Sequence, residues 1–302
     1  MSKASPKNLP ASVRARLQNL SIERDIPFDL ILARFAVERL LYRLSQSRHA
    51  NQFLLKGAML FAIWTPDAHR PTRDVDLLGF GSTELNEVKS VFADISAIPV
   101  ENDALEFQSE TIDVVPIRED ARYGGVRVSL RAMLGNIKIP VQIDIGYGDV
   151  VTPEAEQVTF PGLLEFTAPK LRAYPVYTVV AEKLEAIVTL GETNTRMKDF
   201  YDLWFLCQRF DFDGALLRNA ILATFARRNS QLKPLKEIAG LTTSFVEQND
   251  ATWKAFLRRN RLTAIEFPAV IARVREFIEP ILMNDLSGNS ATWRANLVLW
   301  QR

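Results

Sequence analysis

The feature of this sequence that most constrains its fold is a change in the spacing of apolar residues along the chain. Between Leu105 and Gly146 apolar residues alternate with polar ones, whereas the flanking regions space them three and four residues apart. Alternation is typical of a strand with one buried face, and the longer spacing is typical of a helix with one buried stripe. The pattern predicts an α+β protein.

Element boundaries follow from the same spacing and from breakers such as Pro27 and Pro175. Helices are predicted at 9–24, 29–45, 57–64, 84–95, 177–190, 197–210, 214–227, 245–261 and 267–283. Strands are predicted at 53–55, 74–78, 126–133 and 137–145, with Tyr123, Gly124 and Gly125 in the hairpin before the third. The expected architecture is a small mixed β-sheet, roughly residues 50–160, flanked by an N-terminal helical pair and a C-terminal helical bundle. We expect domains at 1–170 and 171–302.

Composition excludes several classes of protein. The 302 residues are 47% apolar and 24% charged, which is close to the average soluble chain. The first ten residues hold no apolar stretch, and no run is long enough to span a bilayer, so we expect neither a signal peptide nor a membrane segment. With one cysteine, Cys207, and two histidines, His49 and His69, a disulfide framework or a Cys/His zinc site is not expected. These observations predict a cytoplasmic protein.

Charge is unevenly distributed although the net charge is only +1. Residues 1–50 sum to +5, residues 51–200 to −8 and residues 201–302 to +4. One interpretation of an acidic centre between basic flanks is a metal site beside a surface that binds a polyanion. The other is that the distribution arose by chance.

Asp74 and Asp76 are the first candidate functional residues. In a strand, their spacing points both side chains to the same face, where the two charges repel each other unless a cation lies between them. Magnesium prefers such oxygen ligands together with substrate phosphates. The alternative is a strand edge with two solvated acids.

A third acid, Asp144, lies on the polar row of the strand 137–145, whose opposite row is five β-branched residues. The loop that follows, 146–148, is Gly-Tyr-Gly and leaves space beside it. If the two acidic strands are neighbours, the three carboxylates meet and can hold two magnesium ions. Upstream, Lys56-Gly57-Ala58 marks a strand-to-helix turn at which backbone amides can approach a phosphate.

These blocks together resemble a known family. The Lys56-Gly57-Ala58 turn, fifteen intervening residues, Asp74-Val75-Asp76 and a later Ile143-Asp144-Ile145 resemble the nucleotidyltransferase superfamily pattern. More narrowly, the run 70–77 (RPTRDVDL), the block 181–184 (AEKL) and the block 196–203 (RMKDFYDL) resemble the AbiEii/AbiGii toxin family. The match covers roughly residues 50–210. Ala58 departs from the superfamily pattern, which has serine or a second glycine there.

The resemblance implies a nucleotidyltransferase fold and an enzyme that uses Mg²⁺ or Mn²⁺ and a nucleoside triphosphate. Its implied metal ligands are Asp74, Asp76 and Asp144. Its implied nucleotide-binding residues are Lys56, Gly57, Ala58, Thr72, Arg73 and Lys183. Its implied catalytic residues are the three metal ligands with Lys183, Asp199 and Asp202.

Lys183 lies on the same helical stripe as Val180, Leu184 and Ile187. A buried ammonium needs a partner, so the lysine either extends its amine to solvent from the edge of the stripe or contacts triphosphate oxygens. The resemblance favours the second interpretation. Asp199, which Arg196 can pair at helical spacing, and Asp202 follow in the next block, and the sequence does not distinguish which acid is essential.

Three functions stay open at this stage. The first is the toxin of an AbiE-like toxin–antitoxin system in phage defence, which transfers a nucleoside monophosphate to RNA, with the tRNA 3′ end preferred, and has a winged-helix antitoxin. The second is a nucleotidyltransferase that acts on a small molecule, as aminoglycoside-modifying enzymes do. The third is a nucleotide-binding module without turnover, for which Ala58 is the argument. Basic clusters at 227–236 and 258–261 are either solvated faces or contacts to an RNA backbone.

Overall fold

The chain divides into two units, and the computed structural model describes residues 8–65, 72–119, 123–283 and 291–301. Unit 1 comprises residues 1–148 and 156–173, and unit 2 comprises residues 149–155 and 174–302. Neither unit is continuous in sequence. The predicted boundary between residues 170 and 171 stays a prediction.

Unit 1 is built around a sheet with helices before and between its strands. In chain order its elements are α1 (Leu9–Glu23), α2 (Phe28–Gln46), β1 (Phe53–Lys56), α3 (Leu60–Trp64), β2 (Val75–Gly79), α4 (Leu85–Ser96), β3 (Leu105–Glu119), β4 (Tyr123–Leu134), β5 (Ile137–Tyr147), β6 (Glu156–Thr159) and β7 (Lys170–Ala173). The strand order is β3-β4-β5-β2-β1-β7-β6. The pairs β2–β5 and β1–β7 are parallel and the others are antiparallel, so the sheet is mixed.

Unit 2 is mainly helical. Its elements are α5 (Val176–Leu190), α6 (Met197–Cys207), β8 (Phe212–Asp213), α7 (Gly214–Arg227), α8 (Thr243–Arg259), α9 (Phe267–Leu282), β9 (Thr292–Arg294) and β10 (Leu299–Gln301). The three short strands form a separate small sheet in the order β10-β9-β8. Trp253 and Trp293 are buried, as expected for residues of a packed core. The α+β class predicted from the sequence is confirmed.

The sheet differs from the prediction at two places. Gly124 and Gly125 lie inside β4, opposite Arg118 and Ile117, and not in a hairpin before it. A Cβ on Gly125 would lie 3.2 Å from the carbonyl oxygen of Ile145, so the glycine permits close approach of the neighbouring strand. The sheet also continues to residue 173, because β7 pairs with β1 at a single register position. β7 has only four residues, which is too short for an alternating apolar pattern to predict it.

One face of the unit 1 sheet is apolar and the other carries charge. Val75, Leu77, Ile143 and Ile145 are buried, and α2 packs against β5 and β7 while α4 packs against β3. Burial of this face fixes the register of each strand, because a slip of one residue would expose the whole apolar row. The polar residues between them are therefore held on the opposite face.

Buried charges connect α2 to the rest of unit 1. Arg39 Nε donates to Asp103 Oδ2 at 2.8 Å, and Arg43 makes two hydrogen bonds to the same carboxylate at 2.7 and 3.1 Å. Burial alone would raise the pKa of Asp103, but the Arg43 and Arg39 guanidiniums outweigh it and the pKa lies below its usual value. The carboxylate is thereby kept ionised in the interior.

Glu38, beside this network, is in the opposite situation. Its side chain is fully buried, Oε2 accepts a hydrogen bond from the Leu163 amide at 2.8 Å, and Oε1 has no hydrogen-bond partner. Burial raises the pKa of Glu38 to about 7, against the lowering effects of that amide and of Arg39.

We expect Glu38 to make unit 1 less stable as the pH rises from about 4.5 to about 7. The folded protein holds a proton that the unfolded chain, with a pKa near 4.5, has already released, so stability is full below pH 4.5 and falls as the pH rises through 7. Glu38→Gln, which mimics the protonated form, should exceed the wild type by only about 1 kcal/mol at pH 5 and by up to about 3 kcal/mol at pH 8. Denaturant unfolding at both pH values measures this. Glu106→Gln, at an exposed site, is the control, and a parallel pH response in all three proteins would contradict the prediction.

Candidate functional site

Four charged residues form one row across four neighbouring strands of unit 1. Lys56 of β1 lies opposite Asp76 of β2, Asp76 lies in register with Asp144 of β5, and Asp144 lies opposite Arg127 of β4. Residues in register on adjacent strands point to the same face, and adjacent strands lie about 4.8 Å apart. We call this set the charged row. It places two carboxylates at the centre and one cation at each end.

The charged row brings together two of the three predicted acids. The expected neighbouring of the Asp76 and Asp144 strands is confirmed, and each side chain is partly exposed. Asp74 is exposed and precedes the first residue of β2. Its side chain is therefore not fixed by strand pairing as the other two are.

Arg127 was not predicted as a site residue. Its guanidinium makes a two-pronged interaction with Asp144, with Nε to Oδ1 at 2.8 Å and Nη2 to Oδ2 at 2.7 Å. The Arg127 side chain is 40% exposed and that of Asp144 17%. Paired geometry of this kind is among the strongest hydrogen-bonded contacts of a carboxylate. Asp144 is accordingly neutralised by the protein itself.

Gly57 links the turn after β1 to Asp76. Its φ is +70°, and a Cβ at this position would lie 1.9 Å from Asp76 Oδ2. Only glycine accepts both the backbone conformation and the contact. A 3₁₀ turn, Gly57–Met59, follows and leads into α3. Lys56, Gly57 and Ala58 are partly exposed, and their role in nucleotide binding stays a prediction.

Thr72 and Arg73 lie in the segment that leads into β2. Arg73 forms an exposed ion pair with Asp29 in the first turn of α2. Thr72 Oγ1 donates a long hydrogen bond, 3.4 Å, to the carbonyl of Asp74. Arg70 and Pro71, the start of the motif, lie outside the described residues. Nucleotide binding by Thr72 and Arg73 stays a prediction.

The charged row offers carboxylate oxygens, the type of ligand that a divalent cation such as Mg²⁺ prefers. Within residues 8–65, 72–119, 123–283 and 291–301, no group of three or more His, Cys, Asp or Glu side chains could hold a metal ion. Magnesium is commonly held by only one or two protein carboxylates, with substrate phosphates and water as further ligands. The registered pair Asp76 and Asp144 meets that need, and the glycine at position 57 keeps side-chain bulk away from Asp76. The donor chemistry therefore fits Mg²⁺, and the metal roles of Asp74, Asp76 and Asp144 stay predictions.

In unit 2, Lys183 has carboxylate partners. Its Nζ donates to Asp199 Oδ1 at 3.0 Å and to Asp202 Oδ2 at 2.6 Å. The lysine side chain is 13% exposed, and the two acids are almost completely buried. The buried ammonium predicted on this helix is thus neutralised by the two acids singled out in the next block. It does not extend into solvent from the edge of the stripe.

Asp199 has a second cation. Arg196 Nε lies 2.8 Å from Asp199 Oδ2, the i,i+3 pair expected from the sequence. Asp199 and Asp202 therefore both contact Lys183, and contact alone does not distinguish the essential acid.

A second cluster in unit 2 surrounds Arg228. Its guanidinium lies 3.2 Å from Asp149, 3.3 Å from Glu182 and 2.9 Å from Glu185. Burial would lower the pKa of Arg228, but these carboxylates outweigh it and raise the pKa. Arg228 is thus committed to internal ion pairs and does not belong to the basic surface cluster in which the sequence placed it.

Comparison with known protein families identifies one family. Residues 39–276 match the family described as nucleotidyl transferase AbiEii toxin, type IV toxin–antitoxin system. No curated protein matches the chain. None of the described helices is long and apolar enough to cross a membrane.

Two solved structures from Helicobacter pylori are similar to this chain. One, a candidate nucleotidyltransferase, is 17% identical, with a TM-score of 0.44 and coverage of 82% of this chain and 93% of its own. The other, JHP933, is 16% identical, with a TM-score of 0.46 and coverage of 88% and 94%. At such low TM-scores we infer nothing about function from either.

Gly57→Ala is expected to destabilise unit 1. The substitution strains a backbone with positive φ and forces the Asp76 carboxylate to move, so we expect a loss of about 2 kcal/mol or more in unfolding free energy. Gly124→Ala is the matched control, because its Cβ would meet nothing within 4 Å. Denaturant unfolding checks both, and equal stability of the two variants would refute the proposed contact.

Lys183→Met is expected to destabilise unit 2 whatever its effect on catalysis. The variant leaves two buried carboxylates without their ammonium, which typically costs about 3 kcal/mol or more. The double variant Lys183→Met/Asp202→Asn should regain part of this loss, because one charge is removed. Lys236→Met, at an exposed site of the same unit, is the control in urea unfolding. Wild-type stability of Lys183→Met would show that the ion cluster contributes nothing.

Proposed function

The chain belongs to the AbiEii nucleotidyl transferase toxin family, and we propose that it transfers a nucleoside monophosphate from a nucleoside triphosphate to a hydroxyl group of RNA. The family supports nucleotidyl transfer in a toxin–antitoxin context. The observation that carries the site assignment is the registered pair of Asp76 and Asp144 in the charged row. The RNA acceptor is our own extension.

The charged row is proposed to bind the triphosphate end of the nucleotide. Asp76 and Asp144, with Asp74 beside them, would hold Mg²⁺ or Mn²⁺. A divalent cation there supplies Lewis-acid chemistry, since it neutralises phosphate charge and lowers the pKa of a ligated hydroxyl. Lys56, Gly57 and Ala58 contact phosphate oxygens from the adjoining turn, and Thr72 and Arg73 contribute from the segment before β2.

The transfer is a substitution at the α-phosphorus. The acceptor hydroxyl oxygen forms a bond to Pα, the bond from Pα to the oxygen that bridges to Pβ breaks, and pyrophosphate leaves with the electron pair. The hydroxyl proton passes to a carboxylate oxygen of the charged row. The family resemblance assigns Lys183 to the nucleotide phosphates as well, and we propose that its ammonium stabilises negative charge on them.

Asp199 and Asp202 are proposed as positioning residues for Lys183. Two of the three N–H donors of the ammonium are directed at these acids, at 3.0 and 2.6 Å. Fixed in this way, the ammonium loses little conformational entropy when it meets a phosphate. Because both acids are buried and paired with cations, they are weak candidates for a general base.

Exposed cations of unit 2 favour a polyanionic acceptor. Without Arg228, the exposed basic residues of the two clusters at 227–236 and 258–261 are Arg227, Lys233, Lys236, Arg258, Arg259 and Arg261. Lysine and arginine side chains bind the phosphates of a nucleic-acid backbone, and the affinity of such a protein for nucleic acid falls steeply as the salt concentration rises. We propose RNA, with the tRNA 3′ end as the preferred acceptor, a cytoplasmic location and a winged-helix antitoxin encoded nearby. Phage defence is the proposed role of the system.

The test is transfer from labelled nucleoside triphosphates to total RNA in the presence of Mg²⁺. We expect labelled RNA with at least one of the four nucleotides, and Asp76→Asn should lower the rate about 100-fold or more because the site loses a charged ligand. Asp113→Asn, on the exposed side of β3, is the control and should retain full activity.

Three outcomes would overturn parts of the proposal. Transfer only to a small hydroxyl compound would replace the RNA acceptor. Absence of transfer to any acceptor, with metal-dependent nucleotide binding retained, would indicate a binding module without turnover. Equal growth of bacteria that express the wild type or Asp76→Asn would remove the toxin role.

A further inference from the structure

Arg127 stands out because it occupies a carboxylate that the proposed function assigns to a metal. Both oxygens of Asp144 accept hydrogen bonds from its guanidinium. A divalent cation that ligates Asp144 must compete with this pair. The proposed function does not account for the arginine, and the family resemblance does not include it.

The charge balance of the row explains why a cation is present there. Asp76 and Asp144 lie in register on adjacent strands, and two like charges about 5 Å apart repel by roughly 3 kcal/mol at an effective dielectric constant of 20. Lys56 and Arg127 at the two ends bring the formal charge of the row to zero. Arg127 is therefore the counter-ion of Asp144 when no metal is bound.

Two features make this counter-ion exchangeable. The Arg127 side chain is 40% exposed, so it can swing away without opening the core, whereas Arg39 of the structural network is fully buried. The strand that carries it is fixed by pairing to β3 and β5 on either side, so only the side chain has to move. A guanidinium displaced from a carboxylate still has the fork geometry that matches phosphate oxygens.

We propose that Arg127 is a mobile counter-ion. Its guanidinium pairs with Asp144 before the substrate arrives and then moves to pair with the phosphates of the metal-bound nucleotide. This inference rests on the proposed function, because it takes Asp144 as a metal ligand. No covalent bond changes in the exchange. One cation replaces another at Asp144, and the released arginine neutralises the anion that accompanies the metal.

The exchange couples the binding of metal to the binding of triphosphate. Metal alone must displace Arg127 from Asp144 and gains no phosphate contact in return, so it binds weakly. Metal together with triphosphate offers phosphate oxygens to the displaced guanidinium and binds more tightly. A coupling of this kind is a difference in free energy between the two binding events, and it disappears when the shared residue is removed.

The inference is tested by calorimetric titration of metal-free protein, first with Mn²⁺ alone and then with Mn²⁺ and inorganic tripolyphosphate. In Arg127→Gln we expect the Kd for Mn²⁺ alone to fall about tenfold, and the Kd for the tripolyphosphate complex to rise about tenfold. Changes in opposite directions are the signature of the exchange. Arg131→Gln removes an exposed arginine from the same face of the same strand and should shift neither Kd.

Other results would overturn the inference. Both Kd values unchanged, or both raised, would make Arg127 a structural ion pair. If Arg127→Gln does not unfold cooperatively, Arg127→Lys carries the test, since it keeps the charge but loses the two-pronged contact, and smaller shifts in the same opposite directions are expected. Normal RNA labelling with unshifted Kd values would refute only the proposed role of Arg127 and would leave the transfer function standing. Opposite shifts without any labelling support the exchange and refute the transfer function.

Discussion

The parallel pairing of β2 with β5 places two carboxylates side by side. The polar face of unit 1 carries cations that compensate for their mutual repulsion. Asp76 and Asp144 cannot separate, because the apolar residues on the opposite face fix the register of both strands. The repulsion has to be met by cations, and the chain provides one at each end of the row. A metal ion and its phosphates would use a charge arrangement that already exists.

The fold and both acids of the charged row were accessible from the sequence, and the family resemblance added Lys56. Alternation over 137–145 put Asp144 on a polar row, and the D-x-D spacing put Asp76 on another. Arg127 was accessible too, although it was missed. A two-residue turn at Gly135-Asn136 joins β4 to β5, and the register counted outward from Leu134 and Ile137 brings Arg127 opposite Asp144. The signal for Arg127 is therefore present in the sequence of the hairpin.

Other contacts could not be predicted, because they join residues far apart in sequence without a shared strand. Nothing in the basic run 227–236 distinguishes Arg228, whose partners lie more than forty residues upstream. Lys183 was recognised as a buried ammonium in need of a partner, yet its two acids follow from the packing of α5 on α6. Because these acids are also structural, loss of activity in a Lys183 variant is informative only where the protein remains folded.

The discontinuity of both units limits where two related chains can be recombined without loss of native contacts. The chain leaves unit 1 after residue 148, returns at residue 156 and leaves again after residue 173. A single recombination crossover anywhere in 149–173 would separate Arg228 from Asp149 or β1 from its neighbour β7. A chimera joined at a single point in this segment would therefore lose native contacts inside one of the two units.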